Sequence, residues 1–130
     1  LFSFLPERGS LMQDHASPPL GAYLRIQLAR WLLDTDQTRS DRMSFDEAGR
    51  IRDFGVSREA IERAIALGEA FQTSGCPGPD GKVACNRPYG NEKPGPDIRN
   101  FPFAPDEAVR EKIRQELAQF DSANTLGPKP

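Results

Sequence analysis

Between residues 70 and 104 the chain carries six prolines and five glycines. No helix or strand of useful length survives that density of ring-fixed φ angles and missing N–H donors. The segment therefore divides the chain into a longer N-terminal part able to form helices and one C-terminal stretch that can form another. Both cysteines, Cys76 and Cys85, lie inside it, in the run SGCPGPDGKVACNRPYGNEKPGP at residues 74–96. The Asp80-Gly81 pair within that run marks a tight turn. A structureless segment of this length inside a compact domain is either functional or disordered. The aromatic residues at Phe71, Tyr89, Phe101 and Phe103 predict an ordered one, because disordered linkers rarely hold so many apolar anchors.

With 130 residues, of which 37% are hydrophobic, the chain has enough material for one domain with a single modest core. That domain is expected over residues 1–120, with 121–130 as a flexible tail. Charged residues make up 28% and interleave to a net charge of −2, so there is no basic stripe to follow a phosphate backbone and nucleic acid is not an expected partner. No apolar run approaches the roughly 20 residues a spanning helix needs, so no membrane partner is expected either. LFSFLPERGS has neither the basic start nor the length of a signal peptide. Two cysteines are too few for a secreted disulfide scaffold, which points to a reducing, cytoplasmic setting. The chain opens at Leu1 in an apolar alternation (Leu1, Phe2, Phe4, Leu5) with no turn or cap before it. A fragment or processed piece and a true N-terminus are both open readings of that start.

The expected fold is mainly α, with a short strand remnant at residues 1–5 ended by Pro6 and a long ordered Cys/Pro/Gly loop. Leu20, Tyr23, Leu24, Leu28, Trp31 and Leu32 recur at helical spacing after Pro18-Pro19, predicting a helix from Leu20 to Asp34. Ile26, Leu33, Ala22 and Ala29 widen its apolar surface, so cover on more than one side is expected. Phe45 to Phe54 reads as a brief extended pair around Gly49 with Ile51 and Phe54 facing inward. Ser57 is the expected N-cap of a helix over residues 58–67 that Gly68 ends. Pro105 is expected to open the last helix, with Asp106 and Glu107 at the positive end of its dipole and Val109, Ile113, Leu117 and Phe120 on one face.

Eight residues separate Cys76 from Cys85, and the turns among them allow the chain to fold back and bring the sulfurs together. A disulfide closing so short a loop would contribute about 2–3 kcal/mol. Metal ligation is a second reading: two thiolates are half a tetrahedral site, and the one histidine, His15, would leave it a ligand short. An iron–sulfur cluster could take its remaining ligands from residues elsewhere. Free or redox-active thiols are the third. Downstream, Asn86, Arg87, Tyr89 and Asn91 are dense in directional hydrogen-bonding groups, and Arg87 could clamp a carboxylate or phosphate while the amides orient it. The bland alternative is that these groups tie the loop's own backbone together. His15 has no carboxylate or nucleophile placed beside it and reads as a surface residue. Asp34, Asp36, Asp41, Asp46 and Glu47 lack the fixed spacing of a divalent-cation loop and read as solvated. GCPGPDGKV is not a phosphate loop, since Cys76 stands at its first glycine position and Val83 at its hydroxyl position. No catalytic residue can be named.

Three segments together, FSFLPERGSLMQDHASPPLGAYLRIQLARWLL, IRDFGVS and TSGCPG…CNRPYGNEKPGPDIRNFPF, resemble the C-terminal part of biotin-synthase-related radical S-adenosylmethionine proteins, the group that is also similar to a two-component type of lipoyl synthase. The likeness covers about residues 2 to 118. It implies that the chain is the C-terminal part of a (β/α) barrel, with Leu1 to Leu5 a late strand and Leu20 to Asp34 an outer helix. It further implies that Cys76 and Cys85 lie near the barrel mouth as cluster ligands or a structural clasp, with Asn86, Arg87 and Asn91 positioning the loop or a carboxylate-bearing substrate. The implied cofactors are an iron–sulfur cluster and S-adenosylmethionine, the latter bound mostly outside this chain. The implied partners are the remainder of the barrel or a second subunit, and a small-molecule or carrier-bound substrate. Relative to the family's closer cysteines, residues 79–84 are an insertion. The CxxxCxxC motif that binds the cluster cleaving S-adenosylmethionine is absent, so this chain alone cannot run that reaction. The reading of a different class is a small non-catalytic helical interaction module, stapled by a disulfide or a structural metal.

Overall fold

The computed structural model describes residues 1–85, 95 and 98–125. Its centre is helix α1, Leu20–Asp34, whose first turn follows Pro18-Pro19 with the Tyr23 amide donating to the Pro19 carbonyl at 3.1 Å. The apolar stripe does what its spacing implies: Tyr23, Leu24, Leu28 and Leu32 are buried. Arg25, Gln27 and Ala29 are buried as well, so the covered arc is broad. It stops short of Ile26 and Leu33, which remain exposed. The helix ends where Asp36 adopts a left-handed φ of 56°, the place a glycine commonly takes, and the Gln37 amide returns to the Leu32 carbonyl at 2.9 Å.

A hairpin follows, β1 (Ser44–Phe45) against β2 (Ile51–Asp53), antiparallel and bulged. Its turn is built by Asp46, whose Oδ1 accepts the amides of Ala48 and Arg50 at 2.9 Å each. Those bonds, with the Arg50 guanidinium at 2.6 Å, hold the Asp46 carboxyl below the usual range. Arg25 fastens this hairpin to α1: its Nε donates to the Ile51 carbonyl and its Nη2 to the Arg52 carbonyl, both at 2.9 Å, while the guanidinium lies 4.7 Å from the centre of the Phe54 ring. A buried arginine is tolerable here because backbone carbonyls replace the water it gives up.

Helix α2, Arg58–Leu67, starts at Ser57, whose Oγ accepts the Ala60 amide at 3.3 Å. It stops at Gly68 with φ 75°, and a Cβ there would meet Pro105 Cδ at 2.6 Å, so both conformation and space require glycine. A single 3-10 turn, Glu69–Phe71, then drops Phe71 into the core with no exposed surface. Helix α3, Glu107–Thr125, begins two residues later than Pro105: the Asp106 carboxylate accepts the Val109 amide at 2.9 Å and is the cap, with Pro105 buried ahead of it. Ile113 and Leu117 are its buried face. Leu24, Leu28, Leu32, Phe54, Ile65, Phe71, Ile113 and Leu117 form one cluster, so all three helices share a core. At the surface Arg114 bonds Glu62 on α2 at 3.1 Å and Glu107 on α3 at 2.9 Å. Its hydrogen bond keeps the Glu107 carboxyl below the ordinary range.

The expectation of a mainly α fold fits in part, and that of a strand at residues 1–5 does not hold. The chain is a small mixed α and β structure, in which the described strands form two separate two-stranded antiparallel hairpins. Leu1 to Leu5 forms no strand. Alternating apolar residues make a strand only when a neighbouring backbone accepts and donates, and among the described residues none lies alongside. The segment is instead held by polar clamps. The Arg99 Nη1 donates to Ser3 Oγ at 3.0 Å and to the Pro18 carbonyl at 2.7 Å, leaving Ser3 buried while Leu1 and Phe2 stay exposed. Phe103 is also exposed, at 70%, and so does not anchor the long loop. Among the described residues no helix is long and apolar enough to cross a membrane.

Candidate functional site

The two ends of the long loop are stitched together before either cysteine is reached. Gln72 and Phe101 form a parallel bridge, with the Phe101 amide donating to the Phe71 carbonyl at 3.1 Å and the Thr73 amide to the Phe101 carbonyl at 2.8 Å. Because Phe71 sits in the core, the loop leaves from a fixed base. From there β3 (Cys76–Pro77) pairs antiparallel with β4 (Val83–Cys85). The Asp-Gly turn forms as the spacing implies. The Gly78 amide donates to the Lys82 carbonyl at 2.6 Å, the Gly81 amide to the Gly78 carbonyl at 3.0 Å, and the Lys82 amide to Asp80 Oδ1 at 3.1 Å. Gly81 has φ 75°, a value that closes the turn without a Cβ penalty.

In this register Cys76 is paired with Cys85, and the register shifts between Cys76 and Pro77, where the strand is bulged. Directly opposed residues project to the same face with Cβ atoms about 4.5–5.5 Å apart, a separation a disulfide can span after small adjustment. Both thiols are free and solvent-exposed. They also share one cavity of about 280 Å³. The exposed residues Leu1, Phe2, Arg30 and Ser74 stand with the two cysteines around its rim, and the buried Gln27, Ala70 and Asn100 lie below. Arg30 is partly neutralised by Asp34, its Nε 2.9 Å from the carboxylate.

Two residues lining the same cavity, Gln27 and Asn100, belong to a polar network that sequence reasoning missed. The Asn100 Nδ2 donates to the Tyr23 hydroxyl at 2.9 Å, the hydroxyl is 3.1 Å from the Leu1 carbonyl, and the Gln27 Nε2 donates to Asn100 Oδ1 at 2.8 Å and to the Arg99 carbonyl at 3.2 Å. All three side chains are at least 96% buried. Gln27 Oε1 is buried with no partner among the described residues. The available signal was Tyr23 and Gln27 at i and i+4 on the apolar side of α1, a place where a polar side chain must find a specific partner.

Of the other residues singled out, Asn86, Arg87, Tyr89 and Asn91 lie outside the described residues. His15 is exposed, its ring edge-on to Phe4 at 6.3 Å. Three residues of the acidic stretch make local contacts, Asp34 with Arg30, Asp41 with Arg39 at 3.4 Å and Asp46 in its turn. Among the described residues no three His, Cys, Asp or Glu side chains gather to hold a metal. The thiol pair thus fits half of the four ligands an iron–sulfur cluster takes. No protein-family model, no curated protein and no solved structure matches the chain.

Proposed function

We propose that this chain is the C-terminal portion of a radical S-adenosylmethionine enzyme related to biotin and lipoyl synthases, working in the reducing cytoplasm. Its cysteine hairpin presents two thiolates to an iron–sulfur cluster beside a small-molecule cavity. The observation that carries the reading is the register of Cys76 against Cys85 at the rim of a cavity. Two side-by-side thiols with solvent access suit an iron whose other ligands come from outside the described residues. The likeness in residues 73–103 supports the same assignment, and in it Asn86, Arg87, Tyr89 and Asn91 contact the substrate or brace the loop. The exposed Leu1, Phe2, Ile26 and Leu33 offer apolar surface to the remainder of a (β/α) barrel or a second subunit, where residues 1–5 would find the neighbouring strand they lack. A bound cluster would supply electron storage or sulfur. The chain's own residues hold the thiolates in place and wall off the cavity.

The test is anaerobic purification from iron-replete cells, followed by iron and acid-labile sulfide analysis of the native protein and of the Cys76→Ser and Cys85→Ser variants. The reading expects a brown protein with visible charge-transfer absorption that either substitution abolishes. A colourless, iron-free wild type overturns it. That outcome favours the second reading, a non-catalytic module stapled by a disulfide, which the same opposed register also suits since no third metal ligand accompanies the pair among the described residues.

A further inference from the structure

We infer that Cys76 and Cys85 form a reversible dithiol–disulfide couple whose reaction partner is a low-molecular-weight disulfide, and that closing the pair withdraws both thiolates from ligation. The inference rests on the proposal above only in its last clause. Its physical basis is the hairpin. The pairing of Cys76 with Cys85 across the hairpin, bulged at Pro77, puts the two side chains at a spacing that a small local adjustment turns into a disulfide, and the turn that sets this register is closed by its own backbone bonds. A cross-link on the surface is also an easily reduced one: exposed disulfides have more oxidising potentials than buried structural ones and are the labile, regulatory class. Both thiols are exposed, and the adjoining cavity of about 280 Å³ gives a small disulfide room to approach them.

The chemistry balances with the two cysteines and the small disulfide alone. One thiolate attacks a sulfur of the small disulfide, forming a mixed disulfide and releasing one small thiolate. The second cysteine thiolate then attacks the protein-side sulfur of that bond, forming the Cys76–Cys85 disulfide and releasing the other small thiolate. Two electrons pass from the protein to the small disulfide. The two protons leave the cysteines and end on the two small thiols. Reduction runs the same steps backwards. In the closed state neither sulfur carries the negative charge that metal ligation needs, so the proposed cluster site becomes unavailable until the bond is reduced.

The experiment equilibrates the full chain, anaerobically, with graded ratios of oxidised to reduced glutathione, quenches by alkylation and measures mass. The expected product is a monomer lighter by two hydrogens, with mixed disulfide as a minor species. Cys85→Ser should stop at a stable mixed disulfide. Gly81→Val, which touches neither thiol but forces a branched side chain into a left-handed turn, should weaken closure about tenfold. Repeating the titration in strong denaturant should weaken closure by at least about tenfold, the sign that the folded register brings the sulfurs together. Accumulation of mixed disulfide at both cysteines, or an equal closure constant in native and denatured protein, overturns the inference. Iron content is measured separately on the reduced protein, so an iron-free chain that closes normally defeats the cluster proposal alone, and an iron-binding chain that does not close defeats only this inference.

Discussion

Phe71→Ala is expected to destabilise the protein by about 3–5 kcal/mol, the range for truncating a fully buried aromatic ring. Marginal domains hold only about 5–15 kcal/mol in all, so most of the folded state's margin would be lost. The ring has no exposed surface and belongs to the cluster in which α1, α2 and α3 meet. Its backbone carbonyl also accepts the Phe101 amide at 3.1 Å, so the void would open under the bridge on which the cysteine loop stands. Urea unfolding followed by far-UV circular dichroism measures the effect. A loss below about 1 kcal/mol, less than the transfer term of a ring alone, would mean that Phe71 is not central to the core.

Asn100→Leu has the second-largest expected effect, about 2–3 kcal/mol, by a different mechanism. Leucine has the same branched skeleton as asparagine but can neither donate to the Tyr23 hydroxyl nor accept from Gln27 Nε2, and both partners are buried. A buried polar group stripped of its partner costs more than the bond contributed. Gln27 would then carry an amide with an unpartnered Oε1 and a single remaining bond to the Arg99 carbonyl. The loss should appear as a lower urea midpoint at unchanged slope. A double substitution with Gln27→Leu should recover part of it, since the buried Gln27 amide is then no longer left short of its Asn100 partner. An unchanged midpoint for Asn100→Leu would contradict the network.

Much of the fold is legible in the sequence because local rules act alone there. The span of α1 follows from its stripe and the preceding prolines, and α2 follows from an N-cap serine and a terminating glycine. The cysteine hairpin follows from Asp80-Gly81. What is not legible depends on partners distant in sequence. Whether Leu1 to Leu5 becomes a strand turns on an adjacent edge that no property of those five residues encodes. That Arg25 is buried follows only from the carbonyls of Ile51 and Arg52 arriving beside it. The start of α3 moved from Pro105 to Glu107 because a carboxylate at Asp106 reaches back to the Val109 amide more profitably as a cap than as a first-turn charge. For the site, the turn chemistry could show that the cysteines approach each other, yet the cavity beside them needs Gln27 and Asn100, 73 positions apart, to meet.

The account stands or falls on two thiols held side by side at the rim of one cavity, and a trivalent arsenical such as phenylarsine oxide probes that directly, because one arsenic bridges two sulfurs only when they are adjacent. The native reduced protein is predicted to bind one equivalent, to lose both alkylatable thiols together, and to lose this behaviour in Cys76→Ser and in Cys85→Ser. Two thiols that are alkylated independently in the presence of the arsenical, with no bridged adduct by native mass spectrometry, would contradict the arrangement of Cys76 opposite Cys85 and every functional reading built on it.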